Sequence, residues 1–426
     1  AARGREGCAD PRTRTIRPVR VAFLLQDLQL SGGVGVVVEH ARRLRAEHGV
    51  DAQLVLTRAA DGPAWPYNGL EDVPVRSRED ACAERWDIAV ASWWETTGSL
   101  FDLDADRYAY FVQLLEDSAY EPGAAERIGA MMSTALPVAL ITEARWIAEI
   151  LEDYQRGSHV RYVRNGIAKQ TFRSPEAVTP SLPGAPLRVV VEGSAEYVQK
   201  GVAQALEVTA LMHEPAHVTW VSPHPVEPPD GVDEVLSGLS HAEMASLFAR
   251  HDVLLKLPRA EGMYGPPLEA FHMGCTVVTS PVTGHDEYVR HGVNGLVCGW
   301  DDVHGTARML DLLARDRCRL HQLRCAALET ARAWPDWAQS SQLMAVALRQ
   351  IASEPPPSVR GAGRRLVSDI QSASAEYERQ AWRVATLWEL DAELRGQRAV
   401  RVAFAARRRL DRVRGRWRGL KARLRR

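Results

Sequence analysis

Two carboxylates, Glu261 and Glu269, bracket the run Gly262-Met263-Tyr264-Gly265-Pro266-Pro267-Leu268. An apolar stretch ending near Leu257 precedes them. Proline is tolerated in the first turn of a helix, where its missing N–H is not needed. Gly265-Pro266-Pro267 therefore predicts a helix start, with a helix over Pro267–Met273. Glu261 then stands on the loop leaving a strand, and Glu269 in the first turn of the next helix. Such a loop lies at the C-terminal edge of a parallel sheet, the usual ligand position in α/β folds. The free N–H groups of the helix suit a pyrophosphate, and a carboxylate on each side can accept hydrogen bonds from sugar hydroxyls. Two exposed acids beside a stiffened turn explain the same spacing equally well.

Two further turns have the same character. Gly32-Gly33 follows the strand-like Val19–Gln26 and opens a helical pattern that runs to about His48. Bare Cα atoms let main-chain N–H groups approach a ligand, and the positive end of a helix favours an anion. The dinucleotide fingerprint is incomplete: Gly33-Val34-Gly35 lacks the third glycine, and Glu39 is too close to serve the ribose. A tight strand-to-helix turn is the other reading. Ser280–Tyr288, with Gly284 at its turn, also follows a strand; a lone His285 there reads as a capping or packing residue. His291–Gly295 reads as a surface turn.

The elements that must position these turns alternate between strand and helix. Strand-like stretches fall at Val19–Gln26, Ala52–Thr57, Ile88–Trp93, Tyr108–Gln113 and Val138–Thr142. After the Pro-rich Arg173–Pro186 they resume at Leu187–Val191, Val218–Ser222, Asp252–Leu257, Thr276–Thr279 and Gly295–Cys298, with helices over Gly201–Met212, His241–Ala249 and His304–Ala327. This alternation predicts parallel α/β sheets in two halves of comparable size. The division is a disordered arm over 1–18, a first domain over 19–172, a second over 187–335, a closing helix over 336–353 and a helical basic tail over 358–426. Ile370, Tyr377 and Val384 repeat every seven residues, with Ala373, Ala381 and Trp388 nearby, until Asp391 breaks the next heptad. A homodimer seam through 366–394 is the expectation.

The chain has 426 residues, 46% hydrophobic and 25% charged, the profile of a folded globular protein. No apolar run is long enough to span a membrane, and the Arg-rich N-terminus has no apolar core of signal-peptide type, so a cytoplasmic location is expected. The six cysteines form no CxxC pair and read as free thiols. The formal charge of −1 hides an asymmetry. Between Arg395 and Arg426 there are 14 Lys and Arg against Asp411 alone, a net +13, which leaves −14 on the rest. An acidic body argues against nucleic acid as a partner. Within the tail, Val413, Trp417, Leu420 and Leu424 form one helical stripe among cations. That is the pattern of a helix lying on an anionic membrane surface; docking onto the acidic body is the other reading.

The order EGMYGPPLEAFHMG, then CTVVTSPVTGHDEYVRHGVNGLV, resembles the nucleotide-sugar half of the family 4 retaining glycosyltransferases of the GT-B fold. Arg164-Asn165-Gly166-Ile167 with Phe172 resembles the family's hinge motif, Lys200-Gly201 its Lys-Gly, and Gly32-Gly33 its N-terminal glycine loop. The PVTGHDEY wording is most similar to a subgroup that includes bacterial rhamnosyltransferases. The resemblance implies two facing Rossmann-like domains with a deep cleft between them, plus a helical C-terminal extension. It implies transfer of a hexose from a dTDP-, UDP- or GDP-linked donor to a glycan or lipid-linked acceptor, with retention and without metal or other cofactor.

Position by position, the resemblance gives Glu261 contact with the transferred sugar and Lys200 the departing diphosphate; these two are the expected catalytic pair. Glu269 would hold the ribose. Gly265, Pro266, Gly32, Gly33 and Gly284 would shape the donor site. The family's Arg five residues before the Lys is here Ala195, and Arg259 is the candidate substitute. The family's N-terminal His has no counterpart. Its region corresponds to Ser92–Thr96, where Glu95, or Glu116 and Asp117, are candidates on the acceptor side; ordinary loop roles explain each as well. Asp102-Leu103-Asp104-Ala105-Asp106 contains the DxD metal pattern of another glycosyltransferase fold, but reads as a solvated acidic turn. A nucleotide-sugar 2-epimerase and a non-catalytic partner of a membrane glycan-assembly complex are the rival functions.

Overall fold

The computed structural model describes residues 17–59, 62–121, 123–154, 159–355 and 360–396, with side chains described as far as Glu389. Most of the expected N-terminal arm, Cys8 and the basic run from 397 onward lie outside the described residues.

The first domain is built on seven parallel strands: β1 (Arg20–Leu25), β2 (Asp51–Leu56), β3 (Val75–Ser77), β4 (Arg85–Ala91), β5 (Asp104–Val112), β6 (Ala139–Thr142) and β7 (Val160–Tyr162). Their spatial order is β3-β2-β1-β4-β5-β6-β7. Alternate residues of β1 serve opposite faces, as the two-residue period of a strand requires. Val21, Phe23 and Leu25 join Val37, Ala41 and Leu44 of helix α1 (Gly32–His48). Ala22 and Leu24 join a second core with Tyr110 and Val112. Burial on both faces is why β1 reads as an unbroken apolar run over Val21–Leu25.

The second domain repeats the plan with β8 (Leu187–Glu192), β9 (Ala216–Ser222), β10 (Glu234–Ser237), β11 (Val253–Lys256), β12 (Thr276–Thr279) and β13 (Gly295–Val297), in the order β10-β9-β8-β11-β12-β13. Strand order reverses between β1 and β4 and again between β8 and β11. Ligands of open parallel sheets bind outside the strand C-termini at such switch points.

Between and after these strands come α2 (Arg78–Cys82), α3 (Thr97–Leu100), α4 (Glu126–Ser133), α5 (Arg145–Tyr154), α6 (Val202–Ala210), α7 (His241–Ala249), α8 (Gly265–His272), α9 (Val303–Arg315), α10 (Arg317–Ala333), α11 (Trp337–Ser353) and α12 (Arg360–Gly396). Helix α11 starts beside the second domain and ends in the first. Met344, Leu348 and Ile351 complete the core around α1. At the crossing, Trp334 donates its indole N–H to Asn165 O at 2.9 Å, and Ile167 N–H donates to Pro335 O at 3.0 Å.

Several expectations need correction. Strands β3, β7 and β10 were not expected: the first two have three residues each and β10 is only half-buried, so none carries a long apolar run. The single helix expected over His304–Ala327 is two helices. Asp316 stops α9, and its carboxylate then caps α10 by accepting from Arg319 N–H at 2.8 Å. The acidic stretch Asp102–Asp106 keeps its carboxylates partly exposed, as expected, but Asp104 and Asp106 lie in β5 rather than in a turn, and the stretch also serves as an anchor. Arg360 pairs with Asp104 at 2.8 Å and donates to the carbonyls of Phe101 and Asp102, and Asp106 pairs with Arg85 at 2.5 Å. Beyond that anchor, Val367 and Ile370 of α12 enter the first-domain core. A dimer seam over the whole of 366–394 is therefore not free, and the exposed apolar part is Tyr377, Trp382, Val384, Leu387 and Trp388. Cys82, Cys275, Cys298, Cys318 and Cys325 are free thiols.

Candidate active site

Lys200 ends a short 3-10 turn (Val198–Lys200) between β8 and α6, and Glu261 lies on the loop between β11 and α8. The Arg259 N–H donates to Gln199 O at 2.8 Å and so ties the two loops together. Lys200 Nζ then donates to Glu261 Oε1 at 3.1 Å. The Lys side chain keeps 41% of its surface exposed and the Glu 13%, so the ammonium stays within reach of a ligand. The neighbouring Glu261 charge raises the Lys200 pKa against the opposing effect of burial. The ammonium is held charged.

Behind this pair stands a second one. Lys256, at the end of β11, donates to Glu192 at the end of β8. Burial works to raise the Glu192 pKa, but the charges of Lys256 and Lys200 bring it below the usual value. Glu269 faces the same pair. Enclosure of its carboxyl and the Glu192 charge push its pKa up to about 8, although the residue keeps some exposed surface. At neutral pH it is mostly a carboxylic acid, which can donate as well as accept.

Helix α8 starts at Gly265, so Glu269 is its fifth residue and not in the first turn as expected. Pro266 and Pro267 have no N–H, so Gly265 supplies the one main-chain donor among the first three residues. The expected row of free donors shrinks to that one. A carbon added at Gly265, or at Gly32, would meet no atom within 4 Å, so both positions border open space.

The first domain approaches from the other side. Gln113, just past β5, lies 3.2 Å from a carbon built on Gly33, and its main-chain oxygen lies only 1.7 Å from one built on Gly262. Gly284 in turn abuts the Gly262 carbonyl. The structure thus brings Gly33 and Gly262 against Gln113, and Gly284 against Gly262, beside the loop that carries Glu261. Arg259 sits apart. Its guanidinium is half-exposed, pairs with Asp301, and lies 5.7 Å from the Trp300 ring centre. The cation next to Lys200's partners is Lys256. A lysine closing a buried parallel strand was the signal that sequence reading passed over.

Glu95 is held by Gln26 and Arg58 at the ends of the first-domain strands. Asp117 pairs with Arg127 at 3.4 Å. Glu116 is buried and accepts from Tyr110 Oη at 2.7 Å and from Trp94 N–H at 2.5 Å, which fixes the loop carrying Glu95. His285 bonds the Val282 carbonyl within its own turn, as a packing residue does. Among the described residues, no three His, Cys, Asp or Glu side chains are grouped as metal ligands. No described helix is long and apolar enough to cross a membrane.

Burial pushes Glu116 and Glu143 up to about 8 as well. Their folded pKa values lie above the ordinary 4.5, so the folded chain keeps protons that the unfolded chain has released between those limits. Stability therefore falls as pH rises through that window. Glu116→Gln keeps an acceptor oxygen and removes one ionisation. The variant should melt above the wild type at about pH 9 and no higher than it at about pH 5. Parallel melting curves at the two pH values would contradict the assignment.

Residues 186–316 match the family model of the glycosyl transferases group 1. The two sheets together form the GT-B fold. The Anabaena protein HepE in complex with UDP and glucose is similar over 78% of this chain and 100% of its own, at 16% identity and a TM-score of 0.62. Sucrose-phosphate synthase from Thermosynechococcus elongatus is similar over 78% of this chain and 98% of its own, at 14% identity and a TM-score of 0.61. WaaG, a glycosyltransferase involved in lipopolysaccharide biosynthesis, is similar over 78% and 100%, at 15% identity and a TM-score of 0.57. No curated protein matches the chain by sequence.

Proposed function

We propose that the protein transfers a hexose from a nucleotide-diphosphate donor to an acceptor hydroxyl, with retention at the anomeric carbon and without a metal. The observation that carries this reading is the Lys200–Glu261 contact at 3.1 Å, set at the strand-end edge of the segment that matches the group 1 glycosyl transferases and facing the first domain's loops. As the glycosidic bond breaks, negative charge grows on the leaving diphosphate. The Lys200 ammonium and the Gly265 N–H stabilise it there, where such donors act most strongly in the transition state. Glu261 holds the sugar. Glu269, largely protonated, can donate to one ribose hydroxyl and accept from another. Closure of the two domains excludes water and limits hydrolysis.

The structures similar to this chain include complexes with UDP and UDP-glucose, which makes a uridine donor the first to test beside dTDP and GDP sugars. The rhamnosyltransferase-like wording supports a 6-deoxyhexose donor in a bacterial envelope pathway. The basic run 395–426 supports docking on an anionic inner membrane surface, where a lipid-linked acceptor would lie.

A thermal-shift screen against UDP-, GDP- and dTDP-sugars tests the donor directly. A true donor at a hundred times its Kd adds about 2.7 kcal/mol of apparent stability. Product analysis then separates the rivals. A sugar nucleotide epimerised without acceptor would make the chain an epimerase, and binding without turnover would make it a non-catalytic partner. No stabilisation by any of the three donor classes would defeat the reading.

A further inference from the structure

We propose that Trp146, from the first domain, is a positioning residue that sets the Glu261 loop across the cleft. Trp146 is the second residue of α5, just beyond β6. Its indole N–H donates to the carbonyl of Gly262 at 2.9 Å, next to Glu261 in the chain. The carbonyl of Glu261 itself accepts from Thr283 Oγ1 at 3.1 Å, within the second domain. Two successive peptides of one loop are therefore held from opposite domains.

The surroundings leave room for that indole and little else. A carbon added at Gly284, whose φ is 81°, would stand 3.0 Å from Trp146 Nε1 and 2.5 Å from Gly262 O. Gly262 meanwhile rests against the Gln113 carbonyl. The two glycines make the slot, and the tryptophan fills it. Neighbouring residues of the same short segment point the same way. Arg145 N–H donates to Glu287 in the second domain, and Tyr162 Oη donates to that carboxylate at 2.9 Å. Glu143 is held by Asn165 Nδ2 at 2.8 Å and faces the Met263 N–H. The segment 142–146 is thus a clasp that registers the donor loop when the domains meet. Trp146 bonds the carbonyl of the Gly262–Met263 peptide, and Glu143 faces the N–H of the same peptide.

This inference rests on the glycosyl-transfer reading for its kinetic consequence but not for its structural one, and the test has two arms accordingly. Trp146→Phe keeps an aromatic ring in the slot and removes the N–H donor. In the full-length protein without nucleotide, hydrogen exchange across residues 262–264 should speed up about tenfold in the variant, while other segments are unchanged. In transfer assays kcat should fall about tenfold with the donor KM within about twofold, because a shifted Glu261 spoils alignment and not ground-state binding. Unchanged exchange at 262–264 overturns the clasp, whatever the assays show. So does a fall in kcat that comes with an equal fall in donor affinity. Absence of transfer by the wild type would refute the proposed function alone, and the exchange arm would still decide this one.

Discussion

Lys200→Ala is expected to lower kcat by about 10²–10³-fold and to leave the melting temperature nearly unchanged. The ammonium's largest contribution comes when the diphosphate leaves, so its removal is felt in the transition state more than in donor binding. The pair it forms with Glu261 is partly exposed on the Lys side, and such pairs add little to stability. Glu261→Gln is expected to lose a comparable factor by releasing the sugar. The two side chains touch, so their effects cannot be independent. The double variant should fall no more than about tenfold below the worse single one. Steady-state kinetics on the three variants, with a melt of each, checks this. Near-normal turnover in both single variants would refute the assignment of the site.

Gly262→Ala is the second large effect. The added carbon would sit 1.7 Å from the main-chain oxygen of Gln113 and 2.8 Å from its carbonyl carbon. Both contacts are backbone, so no rotamer relieves them. Either the donor loop shifts or the two domains stand apart. In both cases Glu261 leaves its place, and transfer should fall about 10²-fold. The cores of the two domains are untouched by the change, so each should still unfold cooperatively, and the donor that the thermal-shift screen identifies should still raise the melting temperature. A variant with wild-type kcat would show that the seam between Gln113 and Gly262 is not kept during turnover.

Much of the architecture could be read from the sequence because the central strands are buried on both sides. Val21–Leu25 is a continuous apolar run and Val253–Leu257 is apolar apart from Lys256, and the turns after them carry Gly32-Gly33 and Glu261. What escaped reading was set by contacts distant in sequence. Strand β10 has no strong hydrophobic pattern because it closes the edge of its sheet. Asp104 looks like an unpartnered surface acid until Arg360, over 250 residues later, reaches its carboxylate and the main-chain carbonyl of Asp102. Lys256 and Glu192 belong to different strands and meet only because β8 and β11 are neighbours. Glu269 was misplaced within its helix because the start at Gly265 lies before the two prolines, not at the second of them. Trp146 gave no signal at all: a single aromatic after a strand has a meaning only when two glycines from another domain are seen to surround it.

Helices α11 and α12 follow the donor half in sequence yet are built into the other half, through Leu348 and Ile351 on one face and Val367 and Ile370 on the opposite one. The described end of α12 is therefore mounted on the half that carries Gly32 and Gln113. On the proposed function, a grip on α12 would act as a stator, and the half bearing Lys200 and Glu261 would be the rotor that exchanges spent nucleotide for fresh donor.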